Sequence, residues 1–168
     1  HGLSAYLASR DDRTVVRTLD DVIAFNTDHA HTVMPHFAQE IHQRAQQRGA
    51  LRDAQYLLAR AQSLALAARD GIDAALTRHR LDALIAPSTS PAWLIDWIGG
   101  DNRRGGAATP AAVAGYPHVT VPMGYVEQLP VGLSIFAGAG ADRHVIRIAH
   151  AYETITSHRQ PPLVGARR

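Results

Sequence analysis

A change in hydrophobic period divides this 168-residue chain, and no other feature of the sequence constrains its fold as strongly. Up to about residue 80 the apolar side chains recur every three or four positions. Leu57, Ala61, Leu64, Ala68, Ile72 and Leu76 form one such stripe, which predicts a helix over about Asp53 to Arg80 with a single buried face. Gly71 lies inside it and is expected to divide it, because glycine weakens a helix interior by about 1 kcal/mol relative to alanine. Upstream, Thr18 with Asp21 three positions later reads as a capped helix start. A further helix is expected from near Thr32, with Pro35 in its first turn, through Phe37, Ile41 and Ala45 to Gly49.

Beyond Leu81 the runs shorten and alternate. Ala83-Leu84-Ile85-Ala86, closed by Pro87, has the pattern of a strand buried on both faces. His118 to Val126 and Val131 to Ala137, separated by Glu127-Gln128-Leu129-Pro130, read as a hairpin. Thr109 and Pro110 open a short helix that Gly115 stops. Asp142 is expected to cap a last helix with Val145, Ile148, Ala149, Tyr152 and Ile155 on one face. A mainly helical stretch over 1–80 followed by strands, a loop, a hairpin and a helix over 81–160 is an α/β arrangement. The length and the 46% hydrophobic content suit one folded domain.

The charge balance excludes several chemistries. All 17 basic residues are arginine, so no lysine is present to hold a phosphate, form a Schiff base or serve as a hydrolase base. No cysteine is present either, which removes thiol nucleophiles, disulfides and thiolate metal sites from this segment. A formal net charge of +2 is too small to argue for nucleic acid, and Arg103-Arg104 and Arg167-Arg168 read as solvated surface. No apolar run is long enough to span a bilayer. An opening of His1-Gly2-Leu3, without methionine or a signal-peptide layout, is expected to continue a longer chain. Cysteine usage does not place the protein in a compartment, with the cytoplasm slightly favoured.

Ten histidines invite a metal reading, but His36 and His42 stand six apart and His29 and His31 two apart, neither of which is a helical ligand spacing. Ser134 sits between Leu133 and Ile135 inside a strand, and no serine occurs in Gly-x-Ser-x-Gly. Glutamate occurs only at positions 40, 127 and 153. No metal and no cofactor are therefore expected. The segment Ser88 to Gly106 has no periodicity and carries Trp93, Trp97, Asp101 and Asn102 among glycines. Two readings stay open for it: a substrate-pocket rim, or a loop pinned by its tryptophans.

Three runs occur in order: Leu81-Asp82-Ala83-Leu84-Ile85-Ala86-Pro87, then Ala111-Ala112-Val113-Ala114-Gly115-Tyr116-Pro117-His118-Val119-Thr120-Val121-Pro122-Met123-Gly124, then Leu129-Pro130-Val131-Gly132-Leu133-Ser134-Ile135. Together they resemble the C-terminal part of the amidase signature family. Gly2 to Leu7, Ile23-Ala24-Phe25-Asn26, Gln39-Glu40, Tyr152-Glu153 and Arg159-Gln160-Pro161-Pro162 extend the likeness over nearly the whole chain, with peptide-amidase-like members as the nearest kind. The resemblance implies part of a mixed β-sheet flanked by helices. It also implies carboxamide hydrolysis by a serine, a cis-serine and a lysine that belong to a glycine- and serine-rich region upstream of this segment. No catalytic residue carries over. What carries over is a pocket wall from Thr89 to Asn102 and from Gly105 to Thr109, with Thr89, Trp93, Asp101, Asn102 and Thr109 as substrate-binding candidates. Gly105 stands where amidotransferases acting on misacylated tRNA have an acidic residue, which favours a general amidase. The implied partners are the missing N-terminal part and a small amide or peptide amide, with homo-oligomerisation open. The rival reading is a non-catalytic α/β binding or assembly module.

Overall fold

The computed structural model describes residues 1–10, 15–102 and 104–161, so Arg103, Pro162 and Arg167-Arg168 lie outside the described residues. The chain forms two compact units, His1–Ala59 and Arg60–Arg168.

The first unit is helical. It holds α1 (Gly2–Ala8), α2 (Leu19–Asp28), α3 (Ala30–Val33), α4 (Glu40–Gln46) and the start of α5 (Ala54–Ala67). α2 begins as its sequence requires: the Thr18 hydroxyl accepts from the Asp21 amide while the Asp21 carboxylate accepts from the Thr18 amide, so each end satisfies the other's unpaired N–H. The Arg17 amide reaches the same carboxylate at 2.8 Å, and this bond first, then those with Thr18, holds the Asp21 carboxyl below the usual carboxylate range. The helix expected from Thr32 to Ala45 is instead two short helices, with residues 34–39 irregular around Pro35. The reason is visible at Gln39, which is 7% exposed. Its carboxamide nitrogen donates to the Ile23 carbonyl and to Thr27 Oγ1, each at 3.0 Å, and its oxygen accepts from Asn26 Nδ2 at 3.2 Å. A buried carboxamide satisfied three times outweighs continuing a helix through a proline.

α5 continues through a π-helical segment, Ala68–Asp73, into α6 (Ala74–His79), which ends at Arg80 in the left-handed conformation. Gly71 thus widens the helix by a π turn where a break was expected. A Cβ there would fall well inside contact distance of the Leu66 carbonyl oxygen. The stripe is buried only toward its end: Ile72 is 2% exposed, whereas Leu57 and Leu64 lie on the surface.

In the second unit β1 (Leu84–Pro87), α7 (Ala108–Ala114), β2 (His118–Val126), β3 (Leu129–Phe136) and α8 (Asp142–Thr156) follow. The sheet order is β1-β3-β2 and both pairings are antiparallel, so the mixed sheet implied by the resemblance is represented here by an antiparallel portion. Leu84 and His118 both face Phe136 across the ladder. The hairpin turn is Glu127-Gln128, with Glu127 at a φ of 57°, and Met123 is the extra residue of a bulge between Pro122 and Gly124. Pro122 is tolerated because β2 is an edge strand.

Alternation along β3 decides the layers. Leu133, Ile135 and Ala137 face α8 and pack with Val121, Val145 and Ala149. Phe136 faces the other way and packs with Ile72 and Ala111, from the π-helical segment and α7. β1 was expected to be buried on both faces, but Ile85 is 65% exposed, because β1 is an edge and α8 covers only the neighbouring strands on that face. Asp142 is the first helical residue of α8 and Ala141 holds the cap position, so the carboxylate acts by its charge in the first turn.

Candidate functional site

The aperiodic segment after β1 leaves the sheet and returns to it. Ser88 extends the β1 ladder by donating its amide to the Gly132 carbonyl at 2.7 Å, and its own carbonyl accepts from the Ala107 amide at 3.1 Å. Thr89 and Gly106 form an isolated antiparallel bridge, and Thr89 Oγ1 donates to the Gly105 carbonyl at 3.2 Å. The loop is therefore fastened at its two ends. Gly106 makes this possible, since a Cβ there would sit 2.8 Å from the Ser88 carbonyl oxygen.

Between the fastened loop ends and the hairpin lies a cavity of about 570 Å³. Pro87, Met123, Tyr125 and Val131 give it apolar walls, with Thr89 and Ser90 beside them and Arg104 the charged side chain among its lining residues. Ser90 Oγ is buried and has no hydrogen-bond partner among the described residues. Leaving a buried hydroxyl unpaired costs on the order of 1–3 kcal/mol. Tyr125 is steadied from outside, its hydroxyl accepting from the Gln160 amide at 3.2 Å.

A second concavity, of about 510 Å³, belongs to the loop itself and is lined by Trp93, Asp96, Gly99, Asp101 and Asn102 among others. Trp93 Nε1 donates to Asp101 Oδ1 over a long 3.4 Å, and Asn102 Oδ1 accepts from Arg104 Nε at 3.1 Å. Asp96 accepts from the amides of Gly99 and Ile98 at 2.8 and 2.9 Å, and these two bonds hold its carboxyl below the usual range.

The structure thus brings Thr89 to the larger cavity and Trp93, Asp101 and Asn102 to the second. Thr109, the second residue of α7, lines neither. Ser90 falls within the expected wall of Thr89 to Asn102 without having been singled out, whereas Arg104, Met123, Tyr125 and Val131 lie outside the expected wall. The signal available for the strand residues was Gly124, whose φ of 147° belongs to a bulge that redirects β2 beside the cavity.

Ser134 has a histidine beside it, yet the pair is no nucleophile and base. Ser134 Oγ lies 2.8 Å from His118 Nε2 and donates to Ser88 Oγ at 2.9 Å, and Ser88 in turn bonds Thr120 Oγ1. Ser134 is 0% exposed, so no substrate carbonyl reaches it, and the four side chains form a polar seam across three strands. Among the described residues no three histidine or carboxylate side chains cluster as a metal would need.

No protein-family model matches the chain. Over 87 residues it is 38% identical to a glutamyl-tRNA(Gln) amidotransferase component of Symbiobacterium thermophilum, a match that covers 49% of this chain and 18% of that protein. A crystal structure of a peptide amidase with the competitive inhibitor chymostatin matches it with a TM-score of 0.90 and 43% identity, over 96% of this chain and 32% of that one. The native peptide amidase of Stenotrophomonas maltophilia gives 0.85 and 41% over the same shares. The chain therefore spans about a third of the solved amidases and about a fifth of that curated relative.

Proposed function

We propose, because this chain belongs to the amidase signature family and forms a C-terminal portion of that fold, that it supplies sheet, helices and pocket wall to a serine amidohydrolase cleaving linear carboxamides. The observation that carries the reading is the match to peptide amidase over 96% of this chain but only 32% of the other, joined to a sequence without lysine. In the reaction implied by the family, a serine attacks the carbonyl carbon, a lysine acting through a second serine takes the proton and returns it to the leaving amine, and backbone N–H groups stabilise the oxyanion. Those groups come from a missing N-terminal part. The role of this chain is to exclude water and hold the carboxamide in place, with Thr89 at the main cavity, Trp93, Asp101 and Asn102 on the loop beyond it and Thr109 at the start of α7. A small amide or peptide amide is the substrate class, in keeping with the peptide-amidase likeness and with glycine at position 105.

The test is ammonia release from a simple peptide amide. The isolated chain is expected to release none, and co-expression with an N-terminal amidase part carrying the serine, cis-serine and lysine is expected to restore it. Ammonia release by the pure 168-residue chain alone would sink the reading.

A further inference from the structure

We infer that His118, Ser134, Ser88 and Thr120 form one directed row of hydrogen bonds with His118 as its positioning residue: the imidazole tautomer decides whether the Thr120 hydroxyl, at the exposed end, offers a proton or takes one. All four side chains stand on the sheet face turned away from α8, His118 and Thr120 from β2, Ser134 from β3, and Ser88 from the residue that extends β1. Proton counting gives the direction. Ser134 Oγ carries one proton and donates it to Ser88 Oγ at 2.9 Å, so in its 2.8 Å contact with His118 the shared proton belongs to Nε2. Ser88 also has one proton. With its oxygen accepting from Ser134, giving that proton to Thr120 leaves no donor inside the row unpaired, and the Thr120 proton remains for an acceptor oxygen outside it. Ser134 is 0% exposed, so the middle of the row is closed to solvent, whereas Thr120 is exposed. His118 Nδ1 has no hydrogen-bond partner among the described residues, so the bond to Ser134 alone holds the tautomer. The other tautomer, with the proton on Nδ1, turns every bond around and leaves Thr120 presenting only lone pairs. This inference goes beyond the amidase reading and does not rest on it.

The experiment is long-range proton–nitrogen correlation NMR on the 168-residue chain with nitrogen-labelled histidine, at about pH 8, above the ordinary histidine pKa of about 6.5. The His118 signals are identified by their loss in His118→Gln. In the natural chain the His118 proton is expected on Nε2, with a resonance that survives saturation of water because Ser134 is sealed. Thr120→Val removes the last acceptor of the row. The Ser88 proton then finds a partner within it only if the direction reverses, and the His118 proton is expected to move to Nδ1. Thr120→Ser, which keeps the hydroxyl, is expected to leave the proton on Nε2. A purely structural Thr120 would not move the tautomer. A natural chain with the proton on Nδ1, or the same tautomer in Thr120→Val and Thr120→Ser, overturns the inference. The amidase reading fails separately, by ammonia release from the isolated chain.

Discussion

At Gln39 one carboxamide joins two stretches that the sequence left apart, taking the Ile23 carbonyl, Thr27 and Asn26 as partners within the first unit. Gly132 does similar work in the sheet. Because the central strand has no side chain there, Ser88 and Thr120 meet across it, and a Cβ would stand 2.7 Å from Thr120 Oγ1 and 2.8 Å from Ser88 Oγ. Gly132→Ala is therefore expected to lower stability by about 1–3 kcal/mol, read as a lower urea midpoint at unchanged slope. Tyr116 donates its hydroxyl to Asp73 Oδ2 at 2.7 Å, and that bond to a carboxylate is the first cause raising its pKa above 10.0. A folded value above the unfolded one means that the phenol's contribution is complete below pH 10.0 and is lost as pH rises through the raised value. Urea titrations across that range should show the natural chain losing stability with pH more steeply than Tyr116→Phe, and equal slopes would count against the bond.

Among the elements, the helix running from Ala54 to His79 sets propensity against geometry. Replacing glycine by alanine in a helix interior ordinarily gains about 1 kcal/mol. At Gly71 the new methyl would press on the Leu66 carbonyl, a backbone atom that cannot rotate away as a side chain would. Gly71→Ala should therefore destabilise by about 1–3 kcal/mol, and a rise in Tm would show that the π turn relaxes to an α-helix at no cost. The hairpin was legible because β-branched alternation and a turn are local signals, and its strands run His118–Val126 and Leu129–Phe136. The break around Pro35 was not legible, since Gln39 finds its partners twelve to sixteen residues away. The loop ends were equally hidden: nothing in the order of residues says that Thr89 will bridge Gly106.

For the whole molecule, the open edge matters most. β1 pairs on one side only among the described residues, Ile85 is 65% exposed, and Leu94, Ile95 and Ile98 on the following loop are exposed as well. Exposed edges and apolar patches drive self-association. The isolated chain is expected to form concentration-dependent oligomers in sedimentation velocity, and Ile85→Lys, which puts a charge on that edge, is expected to shift it toward monomer. A natural chain that stays monomeric at all concentrations and unfolds cooperatively would favour the independent binding module over a portion of an amidase.

Sequence by itself determined the chemistry this segment lacks and the elements it forms, since residue identity decides what can act as base or nucleophile and local periodicity decides helix against strand. Seventeen arginines and no lysine mean that the base of a lysine-dependent hydrolase is not in these residues. Only the tertiary structure decided which faces are covered, that Ser134 is sealed beside His118 rather than reactive, and that Ser90, Arg104, Met123, Tyr125 and Val131 line one open cavity. Those are properties of contacts between residues distant in the chain, and a sequence records such contacts only through the fold that makes them.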